Sequence, residues 1–377
     1  MNLFSWVGDY ALPFLLVITV LVFVHELGHY LVARRNGVRV EVFSIGFGPE
    51  LWGWTDAAGT RWKFSAVPLG GYIRMFGDED ATSRPGENIE TMSPEDRKVS
   101  FFHKRVGQRM AIVFAGPAAN YLFAILMFAG LFTFIGQPFF PPIIGEVVED
   151  SAAAQAGLQA EDRIIEINGM KVDRFEDIQA VVRKNAGVEL EVVALRENQE
   201  RAFLVTPQAQ EETDNLGNTH HVGLLGVSRT GREYIRHSPA SAVGEAVKQT
   251  YEISITSLQA FYQIITGNRS TEELGGPLRI AQISGEVSQY GLTNILWFIA
   301  LLSVNLGLIN LFPIPLLDGG HLLYFGAEAI RGKPLGEKAQ EYGFRLGITF
   351  IVGLMLFATW NDLVQMGFFQ FVSGIVN

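Results

Sequence analysis

The sequence predicts a polytopic α-helical membrane protein with four transmembrane helices, a β-rich segment after the first, and an α/β unit inserted between the second and third. Three observations predict it. Apolar residues fill 48% of the 377 positions and charged residues only 18%, against about a quarter charged in soluble domains. The apolar residues run together in four stretches that meet the roughly 20 residues a helix needs to cross the hydrocarbon core. Between the second and third stretches, residues 137–291 turn to the mixed composition of a folded extramembrane domain.

The first stretch runs from about Tyr10 to Ala33 and reads as a retained helix. Met1–Asp9 has no basic residue, no small-x-small cleavage site follows, and the stretch is too long for a signal peptide. The second stretch is Met110–Ile135, the third Leu292–Phe312, and the fourth runs from Leu346 to about Phe371. Asn361 and Asp362 interrupt the fourth, so it either ends early or turns a polar face inward. Basic residues set the orientation. Arg34, Arg35 and Arg39 follow the first span, and Arg97, Lys98, Lys104, Arg105 and Arg109 precede or open the second. Arg331, Lys333, Lys338 and Arg345 lie in what reads as a short loop between the third and fourth. These segments belong in the cytoplasm, with both termini and residues 137–291 outside.

The organisation expected is a core in two halves, 1–136 and 292–377, separated by a domain at 137–210 and a linker at 211–291. The net charge of −10 argues against nucleic acid as a main partner. The absence of cysteine excludes disulfides, thiolate metal sites and a cysteine nucleophile.

Within the first half, Val40–Met75 is β-prone, with Trp62 and Phe64 alternating against Arg61, Lys63 and Ser65. Glycines 46, 48, 70 and 71 allow tight backbone approach. In the insertion, Ile143–Val148 reads as a strand and Ser151–Leu158 as a short helix with a glycine C-cap. Arg163–Asn168 alternates as a strand and ends at the hairpin turn Asn168-Gly169. Phe175, Ile178, Val181 and Val182 share one helical face over Phe175–Lys184, and Val188–Leu195 and Ala202–Val205 close the unit as strands. Glu211–His221 reads as a polar loop, with His220 and His221 solvated. In Ala246–Ile265, Val247, Tyr251, Ile255, Leu258, Phe261 and Ile265 make an amphipathic helix suited to a membrane surface, and Gly275-Gly276-Pro277 breaks the chain before the third span.

The residues that carry chemistry are His25-Glu26-Leu27-Gly28-His29, near the cytoplasmic end of the first span. Positions i and i+4 share a helix face, so both imidazoles can reach one zinc ion, with Glu26 as general base to water. Charged groups at membrane depth are costly and usually functional. A catalytic zinc needs a third protein ligand and an open position. Asp318, in the broken stretch Asn310-Leu-Phe-Pro-Ile-Pro-Leu-Leu-Asp318-Gly319-Gly320, is the main candidate, and His321 a competitor. Pro313 and Pro315 remove backbone donors, so this stretch must pack against protein or water. Asn310 needs a partner, either substrate backbone or another helix.

The order of strand, SAAAQAGL, DRIIEINGMKV, helix and strand pair resembles a PDZ domain of the bacterial type. That resemblance implies a peptide groove beside Ile143–Val147 and the Phe175–Lys184 helix. HELGH together with NLFPIPLLDGG resembles the site-2 protease family of intramembrane zinc metalloproteases, in its bacterial regulator of sigma-E protease branch. Phe114-Ala-Gly116-Pro117-Ala-Ala-Asn120, Gly46–Pro49 and Pro68-Leu-Gly-Gly71-Tyr72 extend the match over nearly the whole chain. Many members carry two PDZ domains where this sequence has room for one.

The resemblance implies that His25, His29 and Asp318 hold Zn²⁺ and that Glu26 activates water. Asn310, Pro313 and Pro315 would position the scissile peptide. The β-rich segment with Gly46, Gly48, Gly70 and Gly71 would be a membrane-associated sheet that takes substrate as an added strand, or else a plain hairpin. It further implies a bacterial inner-membrane location and transmembrane protein substrates already cut outside by another protease. Release of a cytoplasmic regulator such as an anti-sigma factor would follow. Two other readings are a membrane adaptor working through its PDZ domain with a vestigial metal site, and a metal transporter.

Overall fold

A computed structural model describes residues 7–78, 91–213, 219–271 and 275–366. Among these, four helices are long and apolar enough to cross a membrane: Gly8–Arg35, Val106–Phe134, Leu292–Asn310 and Lys338–Gln365. Contacts divide the chain into two compact units. One comprises Met1–Ala129, Val243–Leu258 and Glu272–Asn377, the other Gly130–Ala242 and Gln259–Thr271.

The first unit opens with a π-helical turn, Val7–Ala11, that runs into α1, Leu12–Arg35. Pro13 sits in the first turn, where a missing N–H costs nothing, and Arg34 and Arg35 lie in the last turn, where cations suit the helix dipole. β1 (Val40–Thr55) and β2 (Arg61–Met75) form a long antiparallel hairpin with irregular register. Its base packs on α1 through Phe43, which meets Phe23 and Tyr30 edge-on and stacks on Trp62 at 4.3 Å. Asp56 organises the turn. Its Oδ1 accepts from the Ala58 and Thr60 amides at 2.9 Å, and its Oδ2 from Trp62 Nε1 at 2.9 Å and Tyr30 Oη at 3.1 Å. The far half of the hairpin leaves Leu51 and Trp52 exposed, at 73% and 62%.

α2 (Pro94–Val99) is capped by Ser93, whose hydroxyl accepts from the Asp96 amide. α3 (Val106–Phe134) is the second span and carries Pro117 in its interior, so the carbonyl one turn earlier loses its helical partner.

The second unit contains β3 (Gln137–Phe139), β4 (Ile144–Val147), α4 (Ala152–Gln155), β5 (Arg163–Ile167), β6 (Met170–Lys171) and α5 (Phe175–Lys184). Next come β7 (Leu190–Arg196), β8 (Gln199–Val205), β9 (Gln208–Thr213), β10 (Thr219–Leu224), β11 (Val227–Arg229) and β12 (Glu233–Ile235). A four-stranded sheet runs β6-β5-β7-β8. Its core includes Ile144, Ile164, Ile167, Ile178 and Leu190, each almost fully buried; each such side chain contributes roughly 1.5–3 kcal/mol. Asp162, 1% exposed, receives Arg196 in a two-point ion pair at 2.6 and 2.7 Å.

Two expectations are corrected in this unit. Glu211–His221 was expected as a polar loop, but β9 and β10 pair antiparallel, Thr213 opposite Thr219 through Gln208 opposite Leu224, and the boundary placed at 210 falls inside a strand. The groove expected on the edge of Ile143–Val147 is taken: β11 pairs there, Val227 opposite Val147 and Arg229 opposite Ile144. The returning chain satisfies the backbone groups that a ligand was expected to meet. Gly223 presses against α5 too closely for a side chain, its Cβ position meeting the Val182 carbonyl. An open cavity of about 210 Å³ remains between α5 and the Val222–Val227 stretch, with Ile178, Val182 and Arg183 on the helix side.

The chain continues in α6 (Pro239–Ile265), whose segment in the first unit meets two spans. Ser254 lies 3.2 Å from Tyr121 Oη, and Ser257 donates to Asn305 Oδ1 at 2.7 Å. α7 (Pro277–Gln289), α8 (Leu292–Asn310), α9 (Asp318–Arg331) and α10 (Glu337–Gln365) follow. The first three spans fall within a few residues of expectation. The fourth begins earlier, and 367–371 of its expected tail lie outside the described residues. Asp362 turns inward, 3% exposed, and accepts from the Gly276 and Arg279 amides at 2.9 and 3.0 Å, capping α7 from a neighbouring helix.

α9 corrects the short cytoplasmic loop expected between the last two spans. Pro315 ends the irregular stretch, no proline recurs until Pro334, and Gly332 at φ +70 stops the helix. Arg109 of α3 holds its far end, pairing with Glu328 at 2.5 Å and lying over the Phe325 ring.

Candidate metal centre

His25 and His29 lie one turn apart on α1, and both are buried. Their Nε2 atoms stand 3.1 Å apart. Asp318 opens α9 and brings Oδ2 to 3.1 Å from His25 Nε2 and 3.5 Å from His29 Nε2. Donor atoms held tetrahedrally at about 2.0–2.1 Å around one zinc stand about 3.4 Å apart, so the spacing fits. The chemistry fits too. His29 Nδ1 donates to the Ile112 carbonyl at 2.9 Å, which leaves a lone pair on its Nε2. Asp318 Oδ2 is buried and accepts no hydrogen bond among the described residues. His29 Nε2 and Asp318 Oδ2 thus both turn electron pairs toward one point, beside His25 Nε2.

Close packing makes this convergence possible. At Gly28 a Cβ would meet the Ala115 carbonyl and stand 2.6 Å from the Ala119 methyl; at Gly116 it would strike the His29 ring and stand 2.9 Å from His25 Cε1. Small residues on both helices let the backbones approach, and the imidazoles occupy the space that a side chain at 116 would take. Asp318 is placed by the turn before it. Cβ atoms on Gly319 and Gly320 would meet the Leu311, Phe312 and Ile314 carbonyls, and one on Gly347 of α10 would meet the Pro315 carbonyl. Leu316, at φ +100, carries backbone strain within this turn.

A cavity of about 350 Å³ opens on the site, with Glu26, Gly71, Tyr72, Asn310 and His321 among its walls. Glu26 therefore shares the space with the three ligand candidates. Gly71 lets β2 cross over α1: a Cβ there would lie 2.8 Å from Val22 Cγ1 and 3.7 Å from Glu26 Cγ. Gly46, Gly48 and Gly70 have φ of +89, +86 and +106 and shape the hairpin near Phe47, which also lines the cavity. Asn310 Nδ2 donates to the Leu306 carbonyl at 3.1 Å, within its own helix. Pro313 and Pro315 are not in the cavity wall; they shape the turn behind it. His321 lines the cavity but stays outside the His25–His29–Asp318 cluster, and burial pushes its imidazole below the usual range.

Sequence reasoning gave no role to Asn120, whose amide lies 3.1 Å from His25 Nδ1. Nor did it give one to Gly116, Gly347 or the Arg109–Glu328 pair. The signal for Gly116 is present: glycine and proline side by side in an apolar span, with a second glycine inside HELGH.

A profile described as "Peptidase family M50" matches residues 13–354. The chain is 45% identical over 367 residues to "Putative zinc metalloprotease Atu1380" of Agrobacterium fabrum, covering 96% of this chain and 97% of the relative. It is 43% identical over 361 residues to "Putative zinc metalloprotease R01501" of Rhizobium meliloti, covering 94% and 96%. It is 37% identical over 387 residues to "Metalloprotease MmpA" of Caulobacter vibrioides, covering 96% and 97%.

Proposed function

The chain belongs to peptidase family M50 and is an integral membrane zinc metalloprotease of the site-2 type, and from that premise we propose that it hydrolyses peptide bonds within or beside the spans of other membrane proteins. The observation that carries the reading is the meeting of His25, His29 and Asp318, from two separate apolar segments, on one point beside Glu26. These three side chains would hold the zinc. Bound there, the metal would lower the pKa of water to about 7 and polarise the substrate carbonyl. Glu26 takes the proton of the attacking water and passes it to the leaving amine.

A transmembrane substrate has its peptide groups hydrogen-bonded within a helix and must unwind before it can be cut. The β1–β2 hairpin, with its glycines at 46, 48, 70 and 71, offers strand pairing to the freed groups. Its exposed Leu51 and Trp52 suit a membrane surface. Asn310 and the turn at Pro313 and Pro315 orient the scissile peptide. The second unit works as an extracytoplasmic PDZ domain, whose peptide ligand would enter the cavity between α5 and Val222–Val227. It excludes substrates that still carry bulky outer domains, so the reaction is the second cut of regulated intramembrane proteolysis, after a first protease. Both termini lie outside a bacterial inner membrane and the active site faces the cytoplasm, where the product, an anti-sigma factor or similar regulator, is released.

The alternative is an adaptor that works through the PDZ unit with a vestigial metal site; a retained general base in the cavity favours the enzyme. Purified wild type and Glu26→Gln are compared on a model transmembrane substrate, with bound zinc measured in both. Cleavage lost with zinc retained is expected; equal cleavage by both proteins would remove the mechanism.

A further inference from the structure

We infer that Asn120 is the positioning partner of His25, presenting its amide oxygen to the ring's Nδ1–H and thereby fixing the tautomer that offers Nε2 to the metal. The inference rests on the zinc-protease reading above and adds to it a residue outside the ligand set.

Asn120 stands in the middle of α3 and is completely buried. Ser303 of α8 anchors its backbone, the hydroxyl donating to the Asn120 carbonyl at 2.8 Å. The side-chain amide reaches His25 Nδ1 at 3.1 Å through Nδ2. A neutral imidazole carries a single N–H. If Nε2 is to bind a metal, the proton must sit on Nδ1, and Nδ1 must then face an acceptor. His29 meets this condition with the Ile112 carbonyl, which can only accept.

For His25 the partner is an amide, which can face the ring in either of two senses. With Nδ2 toward the ring, the lone pair lies on Nδ1 and the proton on Nε2, pointed at His29 and Asp318. The cluster then closes on itself as hydrogen bonds and excludes a cation. With Oδ1 toward the ring, Nδ1 carries the proton and Nε2 is free to ligate. A half-turn of the amide exchanges the two senses with almost no change of shape. In the first sense Oδ1 is buried and accepts nothing among the described residues, so the half-turn breaks no other hydrogen bond of that oxygen there. The ligating arrangement therefore assigns Oδ1 to His25, and α3 supplies the outer partner of both histidines.

The test uses full-length protein in detergent as wild type, Asn120→Asp, Asn120→Leu and His25→Ala. Zinc affinity is read by competition with a chelator, bound metal by mass spectrometry, and folding by circular dichroism. Loss of an outer-shell partner weakens metal binding about 10- to 100-fold, and that is expected for Asn120→Leu. Asn120→Asp keeps an acceptor and loses the donor, so it binds zinc as tightly as wild type or more tightly. The inference is overturned if Asn120→Leu binds like wild type, or if Asn120→Asp is as weak as Asn120→Leu. Should the leucine variant not fold, Asn120→Ala takes its place under the same criteria. Failure of the underlying reading looks different: wild type without zinc, or His25→Ala binding as tightly as wild type.

Discussion

Gly116 lies directly beneath the His29 imidazole, in space that any Cβ at that position would have to share with Nε2. The metal-facing side of the first span is therefore shaped by an absence on the second. Gly116→Ala is predicted to push the ring aside. Overpacking of this size costs about 1–3 kcal/mol, equivalent to roughly 5- to 150-fold in zinc affinity. Metal content after dialysis against a chelator, with circular dichroism as a control for folding, checks this; full zinc retention would refute it.

The Gly347–Pro315 contact should behave similarly at longer range. Gly347→Val would drive a side chain into the Pro315 carbonyl and shift the turn that delivers Asp318. Activity on a transmembrane substrate is expected to fall at least about 10-fold, on the same overpacking scale. His25 and His29 stay in place, so residual two-ligand binding should remain detectable by metal titration.

Asp362 is predicted to matter for α7 rather than for chemistry. Asp362→Leu leaves the Gly276 and Arg279 amides without their acceptor, a loss worth about 1–2 kcal/mol for a cap. Hydrogen exchange should rise across Pro277–Gln289, while exchange at the metal centre is unchanged.

The second unit carries a pH dependence of definite sign. Burial opposes the charge on Asp162, but Arg196 and the Gln159 amide hold its carboxyl below the usual carboxylate range. A depressed folded-state pKa contributes stability that is complete above the unfolded value, about 3.9, and is lost as pH falls through the folded value. Thermal unfolding of this unit should thus be flat near neutrality and drop in acid below about pH 4. Arg196→Met, which strands the carboxylate, should cost about 3 kcal/mol at pH 7 and shrink the acid-induced drop. An unchanged melting profile would refute the assignment.

Much of this was readable from the residues, and the part that was not has physical reasons. HELGH and the Asp318 motif each declare donor atoms whose spacing along the chain has chemical meaning. The four spans are legible because hydropathy alone sets them. The residues around the start of α9, Pro313, Pro315, Gly319 and Gly320, read as loop until the carbonyls that need the two glycine gaps are known. The β9–β10 pairing was missed because Glu211–His221 is polar on both faces, leaving no period-2 signal to read. Asn120 closes the Phe114–Asn120 stretch, but its amide acquires meaning only from a ring on another helix. The inward turn of Asp362 was one of two options that sequence left open, and a neighbouring helix start decided it.

The split of the donor set between α1 and the turn after α8 also has a temporal side. Ribosomes add about 5–20 residues per second, so His25 and His29 are in the bilayer tens of seconds before Asp318 exists. Throughout that interval the nascent chain holds two imidazoles and a glutamate but no complete centre. A product truncated before Asp318 therefore lacks the third donor of the centre.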